Sequence, residues 1–150
     1  MMKSRWFLIF GILLIVSFVL IALFSNYNYP SKKAIKNGDV VVTHSGKYHL
    51  NKFFEFLEKK RNEIRIVVYT DEGDPIIIDL TNSENNEILF KLDNSRDKFS
   101  ARGIEKGVCN NIRQEPFSNE NMSGVFYDLD GCEGSGSNRI PLFLLDNSEI

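Results

Sequence analysis

The stretch from Ile64 to Asp93, IRIVVYTDEGDPIIIDLTNSENNEILFKLD, decides the fold. Ile64, Ile66 and Val68 alternate with Arg65, Val67 and Tyr69, the two-residue period of a strand with two unlike faces. Asp71-Glu72-Gly73-Asp74 is a turn. Pro75 to Thr81 resumes the alternation, with Ile76, Ile78 and Leu80 set against Ile77 and Asp79. Asn82 to Asn86 is a second polar turn, and Glu87 to Asp93 then sets Ile88, Phe90 and Leu92 against Glu87, Leu89 and Lys91. Turns this short join antiparallel neighbours, because a parallel return needs a long crossover. The stretch therefore predicts a three-stranded meander.

The apolar face of that meander needs a cover, and the preceding residues supply one. Leu50, Phe53, Phe54 and Leu57 recur at i, i+3, i+4 and i+7, which is one stripe of a helix, and Phe56 widens it. Lys52, Glu55, Glu58 and Lys59 fill the opposite side, with Glu55 and Lys59 four apart. The expected architecture is α+β: one amphipathic helix packed on an antiparallel β-sheet. On the outer face of the sheet Val67, Tyr69, Ile77 and Leu89 stand among Arg65, Asp79 and Lys91. Another element covers these apolar residues, or they form a partner surface. Upstream, β-branched Asp39-Val40-Val41-Val42-Thr43 reads as a first strand and His44-Ser45-Gly46-Lys47 as a turn.

Downstream, residues 94–107 read as a loop or irregular strand. Val108 to Gln114 and Gly124 to Asp130 read as two strands around a polar turn that contains Pro116. Folding that segment near Asn121 brings Cys109 and Cys132 opposite each other. A C-terminal hairpin closed by a Cys109–Cys132 disulfide is the expectation, worth about 3 kcal/mol, mainly by restricting the unfolded chain. With no C-x-x-C, no third Cys and no nearby His, a redox or metal role for the pair is disfavoured. Ile140 to Leu145 adds a last strand, and Pro141 marks it as an edge.

The first thirty residues have a different character. Lys3 and Arg5 precede Trp6 to Phe24, 19 residues without a charge. As a helix this run would be about 28 Å long, close to the hydrocarbon thickness of a bilayer. The charge bias places Lys3 and Arg5 in the cytoplasm and the rest of the chain outside, with Trp6, Tyr27 and Tyr29 at the interfaces. Residues 1–30 are thus an uncleaved anchor or, alternatively, a cleaved signal segment that yields a secreted domain. The apolar run is longer than a signal core, and Ala22-Leu23-Phe24-Ser25 lacks the small-x-small cleavage pattern. Residues 31–38 read as a linker and 39–150 as the extracytoplasmic domain. An oxidising exterior suits the disulfide.

Composition narrows the partners. The chain carries 18 basic and 20 acidic residues, and with Lys3 and Arg5 set aside the remainder has a net charge of about −4. Nucleic acid is not an expected partner, since Lys32, Lys33 and Lys36 form the last basic group and sit just past the membrane segment. No cofactor is expected.

Candidate site residues are few. His44, Ser45 and His49 cluster without a G-x-S-x-G or an orienting acid, so no catalytic residue is assigned. Two histidines without a third ligand make a poor metal site. Asp71, Glu72 and Asp74, like Asp128, Asp130 and Glu133, depart from the calcium-loop pattern, so no metal site is assigned either. Arg96, flanked by Asp93 and Asp97, can lock a loop or present its guanidinium fork to an anionic group. Arg96 and Tyr69 are the two candidate ligand contacts.

Several short elements carry a family resemblance: Gly38-Asp39-Val40-Val41, Leu50-Asn51-Lys52-Phe53, Ile64-Arg65-Ile66, Tyr69-Thr70, Glu72-Gly73-Asp74-Pro75-Ile76, and Asp93-Asn94-Ser95-Arg96-Asp97. Together with Cys109 and Gly131-Cys132 they resemble domain of unknown function 4362, over about 110 residues by this reading. The resemblance implies an exported, membrane-associated domain of Bacillus-like organisms, often with a lipid-bearing Cys that this chain lacks. It brings no activity. The expected function is a tethered extracytoplasmic binding module with an envelope protein partner. A cystatin-like inhibitor or sensor using a face around Tyr69 and Ile77 is the alternative, and a cell-envelope enzyme is a further one.

Overall fold

The computed structural model describes residues 11–17, 29–99, 103–119 and 123–147. The chain divides into two compact units, Met1–Pro30 and Ser31–Ile150. In the first, residues 11–17 form helix α1, on which Ile12, Leu13, Leu14, Ile15 and Val16 are all exposed. Among the described residues no helix is long and apolar enough to cross a membrane. Residues 6–10 and 18–24 of the expected membrane segment lie outside the described residues.

The second unit is α+β. Helix α2 (Ser31–Asn37) occupies most of the stretch read as a linker. Strands β1 (Val40–Thr43) and β2 (Gly46–Tyr48) form a hairpin, followed by helix α3 (Leu50–Leu57). The expected meander is β3 (Glu63–Tyr69), β4 (Pro75–Asn82) and β5 (Ile88–Asp93), all antiparallel, within two residues of the bounds read from the alternation. β6 (Ile104–Cys109) extends it. A second sheet holds β7 (Asn111–Ser118), β8 (Ser123–Asp130) and β9 (Arg139–Asp146), with β9 at an edge.

Two expectations need correction. The described residues hold three helices, not one, although α3 is the amphipathic helix foreseen. The main sheet is mixed, in the order β2-β1-β3-β4-β5-β6, because β1 pairs parallel to β3. Two parallel neighbours need a crossover, and α3 lies in the connection between them. The alternation pattern reveals which face a residue takes but not which strand pairs with which. That left the parallel pairing unread.

One face of the main sheet is covered by α3 and the small sheet. Phe53 and Phe56 of α3, Ile64 and Ile66 of β3, Ile78 and Leu80 of β4, and Phe90 of β5 are buried in a single cluster with Tyr127, Leu129, Phe143 and Leu145 of the small sheet. The Phe53 ring meets Tyr127 at 5.0 Å and Phe143 at 4.8 Å, both edge-on. Edge-on pairing sets the positive ring edge against the negative face of its neighbour.

The disulfide forms as expected between Cys109 and Cys132. The β7–β8 register pairs Asn111 with Asp130. Continued two residues outward, that register sets Cys109 opposite Cys132, and it carries on to the Val108–Glu133 bridge, whose backbone bonds are 3.0 and 2.8 Å. The chain from Ile104 to Ser118 is therefore nearly one long strand. Its first half completes the main sheet and its second half opens the small one. The Cys109–Cys132 bond sits at the changeover, so it links two sheets and not merely two arms of a hairpin.

Gly107 marks the tightest approach at this junction. A Cβ there would lie 1.8 Å from the Glu133 carbonyl oxygen and 2.9 Å from the Phe90 ring. Gly107→Ala is expected to cost about 1–3 kcal/mol by pushing β6 off the Glu133 backbone. Urea unfolding of the variant, compared with Gly136→Ala where nothing stands within 4 Å, checks this.

Candidate functional site

The outer face of the main sheet carries two features. Near one end Val41, Val67 and Ile77 lie on one row of the register and are buried apart from the main core, as is Ala34 of α2, the helix that packs on β1. The apolar outer face expected from the sequence is therefore largely covered, while Leu89 stays 45 % exposed. A cystatin-like surface around Tyr69 and Ile77 loses its second member, since Ile77 is only 7 % exposed.

At that same end the loop after β5 gathers the buried acids. Asp93 accepts from the Ser95 hydroxyl at 2.6 Å and the Ser95 amide at 3.1 Å, and Arg96 donates to its other oxygen at 2.6 Å. Asp97 accepts from the Phe99 amide at 2.9 Å. Asp74, from the β3–β4 turn, accepts from the Lys98 amide at 3.1 Å and the Lys98 Nζ at 3.0 Å. Asn94 accepts from the Gly103 amide at 2.7 Å. Each carboxylate staples one turn of the loop to itself or to its neighbour, the arrangement that short polar side chains favour in turns.

Arg96 is thus a loop lock first. Its Nε is buried and meets no acceptor among the described residues. Tyr69, opposite Pro75, is half-buried two rows of the register away from the Ile77–Asp93 pair. The two candidate ligand contacts therefore share one end of the outer face.

Burial alone would raise the Asp93 pKa, but the hydrogen bonds from Ser95 and Arg96 outweigh it and hold the carboxyl below its ordinary 3.8. A carboxyl that ionises more readily folded than unfolded stabilises the fold fully above its unfolded value. That contribution is lost as pH falls through the folded value. Wild type should lose stability more steeply below about pH 4 than Asp93→Asn, which should be the weaker protein at neutral pH. Urea midpoints at pH 7 and pH 3 for both proteins check this.

Of the two histidines, His49 has a local structural role. His49 precedes α3 in the left-handed region at φ 58°, and its Nδ1 lies 2.8 Å from the Asp39 carbonyl oxygen. His44 is exposed in the β1–β2 turn, where the Thr43 and Ser45 hydroxyls are 3.1 Å apart. Among the described residues no three His, Cys, Asp or Glu side chains are grouped to hold a metal ion.

A groove of about 560 Å³ opens at the opposite end of β3. β1 begins at Val40, opposite Ile66, so beside Glu63, Ile64 and Arg65 the sheet has β4 on one flank and the groove on the other. Asn37, Gly38 and Asp39 form its far wall, and Lys52 and Arg61 join from α3 and the turn after it. Arg65 grips Asp79 through Nε and Nη2, at 2.6 and 3.1 Å, and Arg61 pairs with Glu55 at 3.1 Å. The Lys52 ammonium donates to the Gly38 carbonyl oxygen. Charges of both signs therefore line a slot beside strand backbone. The sequence reading missed this slot. Arg65 and Asp79 were visible as outer-face residues, but only the fold brings Lys52 and Gly38 beside them.

Comparison with known proteins yields one match. A family model described as Domain of unknown function (DUF4362) matches residues 37–123, more than half of the chain. It runs from the end of α2 to the start of β8, so Cys132 and β9 lie beyond it and the match is shorter than the sequence reading suggested. No curated protein and no solved structure matches.

Proposed function

We propose that this chain, which belongs to the family described as Domain of unknown function (DUF4362), is a membrane-tethered extracytoplasmic module that binds an extended segment of an envelope protein. The groove beside Glu63–Arg65 carries this reading. Strand backbone at a groove can add a peptide strand, and flanking charges of both signs can select which one. The tether is the uncharged stretch 6–24. Its described part, α1, exposes five consecutive large apolar residues, which water disfavours and lipid accepts.

The test is photocrosslinking in intact cells. A photoreactive residue at Asn37, exposed on the groove wall, should give one discrete protein adduct. The same residue at exposed Ser118 of β7 should give none. Identical adducts from both positions, or none from Asn37, would remove the groove as the binding site. For the tether, the mass of the protein extracted from membranes should correspond to an intact N-terminus.

A further inference from the structure

We infer that α2 is the face by which the domain rests on its own bilayer, with Lys32, Lys33 and Lys36 meeting anionic lipid headgroups. This rests on the tethered reading of residues 6–24. The helix reads SKKAIKN and contains no acid. At about 100° per residue the three lysines fall within one arc, and Ala34 points the other way. All three lysines are exposed, whereas Ala34 is fully buried.

Seven residues do not hold a helix in water alone, so α2 exists because it is packed in place. The chain closes it with bonds from the Gly38 amide to the Ile35 carbonyl oxygen at 2.9 Å and from the Asp39 amide to the Ala34 carbonyl oxygen at 3.1 Å. Gly38 permits this at φ 80°, in the left-handed region. The lysines are therefore fixed to the domain and do not trail on a loose spacer.

Covalent reach brings them to the surface. Six residues, Ser25 to Pro30, separate Phe24 from Ser31. Fully extended, that connection covers about 25 Å at most. The headgroup layer takes up part of this distance, and any path shorter than the maximum lets α2 come within a Debye length of the lipid charge. Beyond Pro30 the chain is acidic, at about −4, so an anionic bilayer repels it in most orientations. Asp39, just after α2, is the nearest acid in the chain, and Lys33 also makes a polar contact within the chain. Each lysine at an anionic surface favours the docked state about fivefold.

The full chain in lipid nanodiscs tests this. One set is phosphatidylcholine, and a second has a third of it replaced by phosphatidylglycerol. Both carry a trace of paramagnetic headgroup lipid. With phosphatidylglycerol, amides of α2 should broaden strongly and those of β7 to β9 little. Phosphatidylcholine discs, molar-range salt and the triple variant K32Q/K33Q/K36Q should each weaken that contrast, by about fivefold per lysine removed in the variants. A contrast indifferent to lipid charge and salt would overturn the docking and leave the tether standing. A chain recovered outside the discs would overturn both. The substituted side chains are exposed, and the salt arm uses the unaltered chain, so a misfolded variant would not decide the result.

Discussion

Removing the disulfide with Cys109→Ala and Cys132→Ala together is expected to lower the unfolding free energy by about 2–4 kcal/mol. The bridge closes a segment with a sequence separation of 23, which the unfolded chain must otherwise explore. Alanine is the right replacement, because Cys109 is fully buried and a serine hydroxyl there would add the cost of an unpaired polar group. Urea unfolding of the double variant and of reduced wild type should give similar midpoints, both below oxidised wild type. Coincidence of all three would mean that the bond constrains nothing. The loss should also be uneven, because Cys109 ends β6 in the main sheet and Cys132 follows β8 in the small one. Amide exchange should quicken in β7, β8 and β9 well before β3 and β4, which keep their own ladder.

Phe53→Ala is expected to cost about 3–5 kcal/mol and to lower the melting temperature by more than about 10 °C. Phe53 is fully buried where α3, β8 and β9 meet, with its ring edge-on to both Tyr127 and Phe143. Truncation opens a cavity that three separate elements would have to shift to close. Phe54, its half-buried neighbour, provides the control: Phe54→Ala should cost distinctly less. Thermal melts followed by near-ultraviolet circular dichroism would report both stability and tyrosine packing. Equal losses at positions 53 and 54 would show that the stripe of α3 faces elsewhere.

Much of the fold was legible because its elements are periodic. The alternation of Ile64, Ile66 and Val68 gave β3 its inward face, and the spacing of Leu50, Phe53 and Leu57 gave α3 its stripe. Local patterns failed where structure depends on a partner. Residues 104–107 read as a loop or irregular strand because Lys106 and Gly107 break the apolar alternation, and pairing with β5 makes them part of a regular strand. Helix α2 looked like a spacer because a single buried side chain, Ala34, holds it. Asp93 and Arg96 were recognised as partners because they lie three apart, whereas the groove that joins Lys52, Gly38 and Arg65 spans three separate elements.

The sequence by itself determined which residues face inward, where the antiparallel turns fall, and that Cys109 stands across from Cys132. Those features follow from side-chain period and chain reversal, which act over a few residues. Only the tertiary structure decided that β1 lies parallel to β3, that one long strand serves two sheets, and that a groove opens where β1 begins. Pairing between distant strands is set by which apolar faces can be buried together. That is a property of the assembled core, which no short window of residues contains.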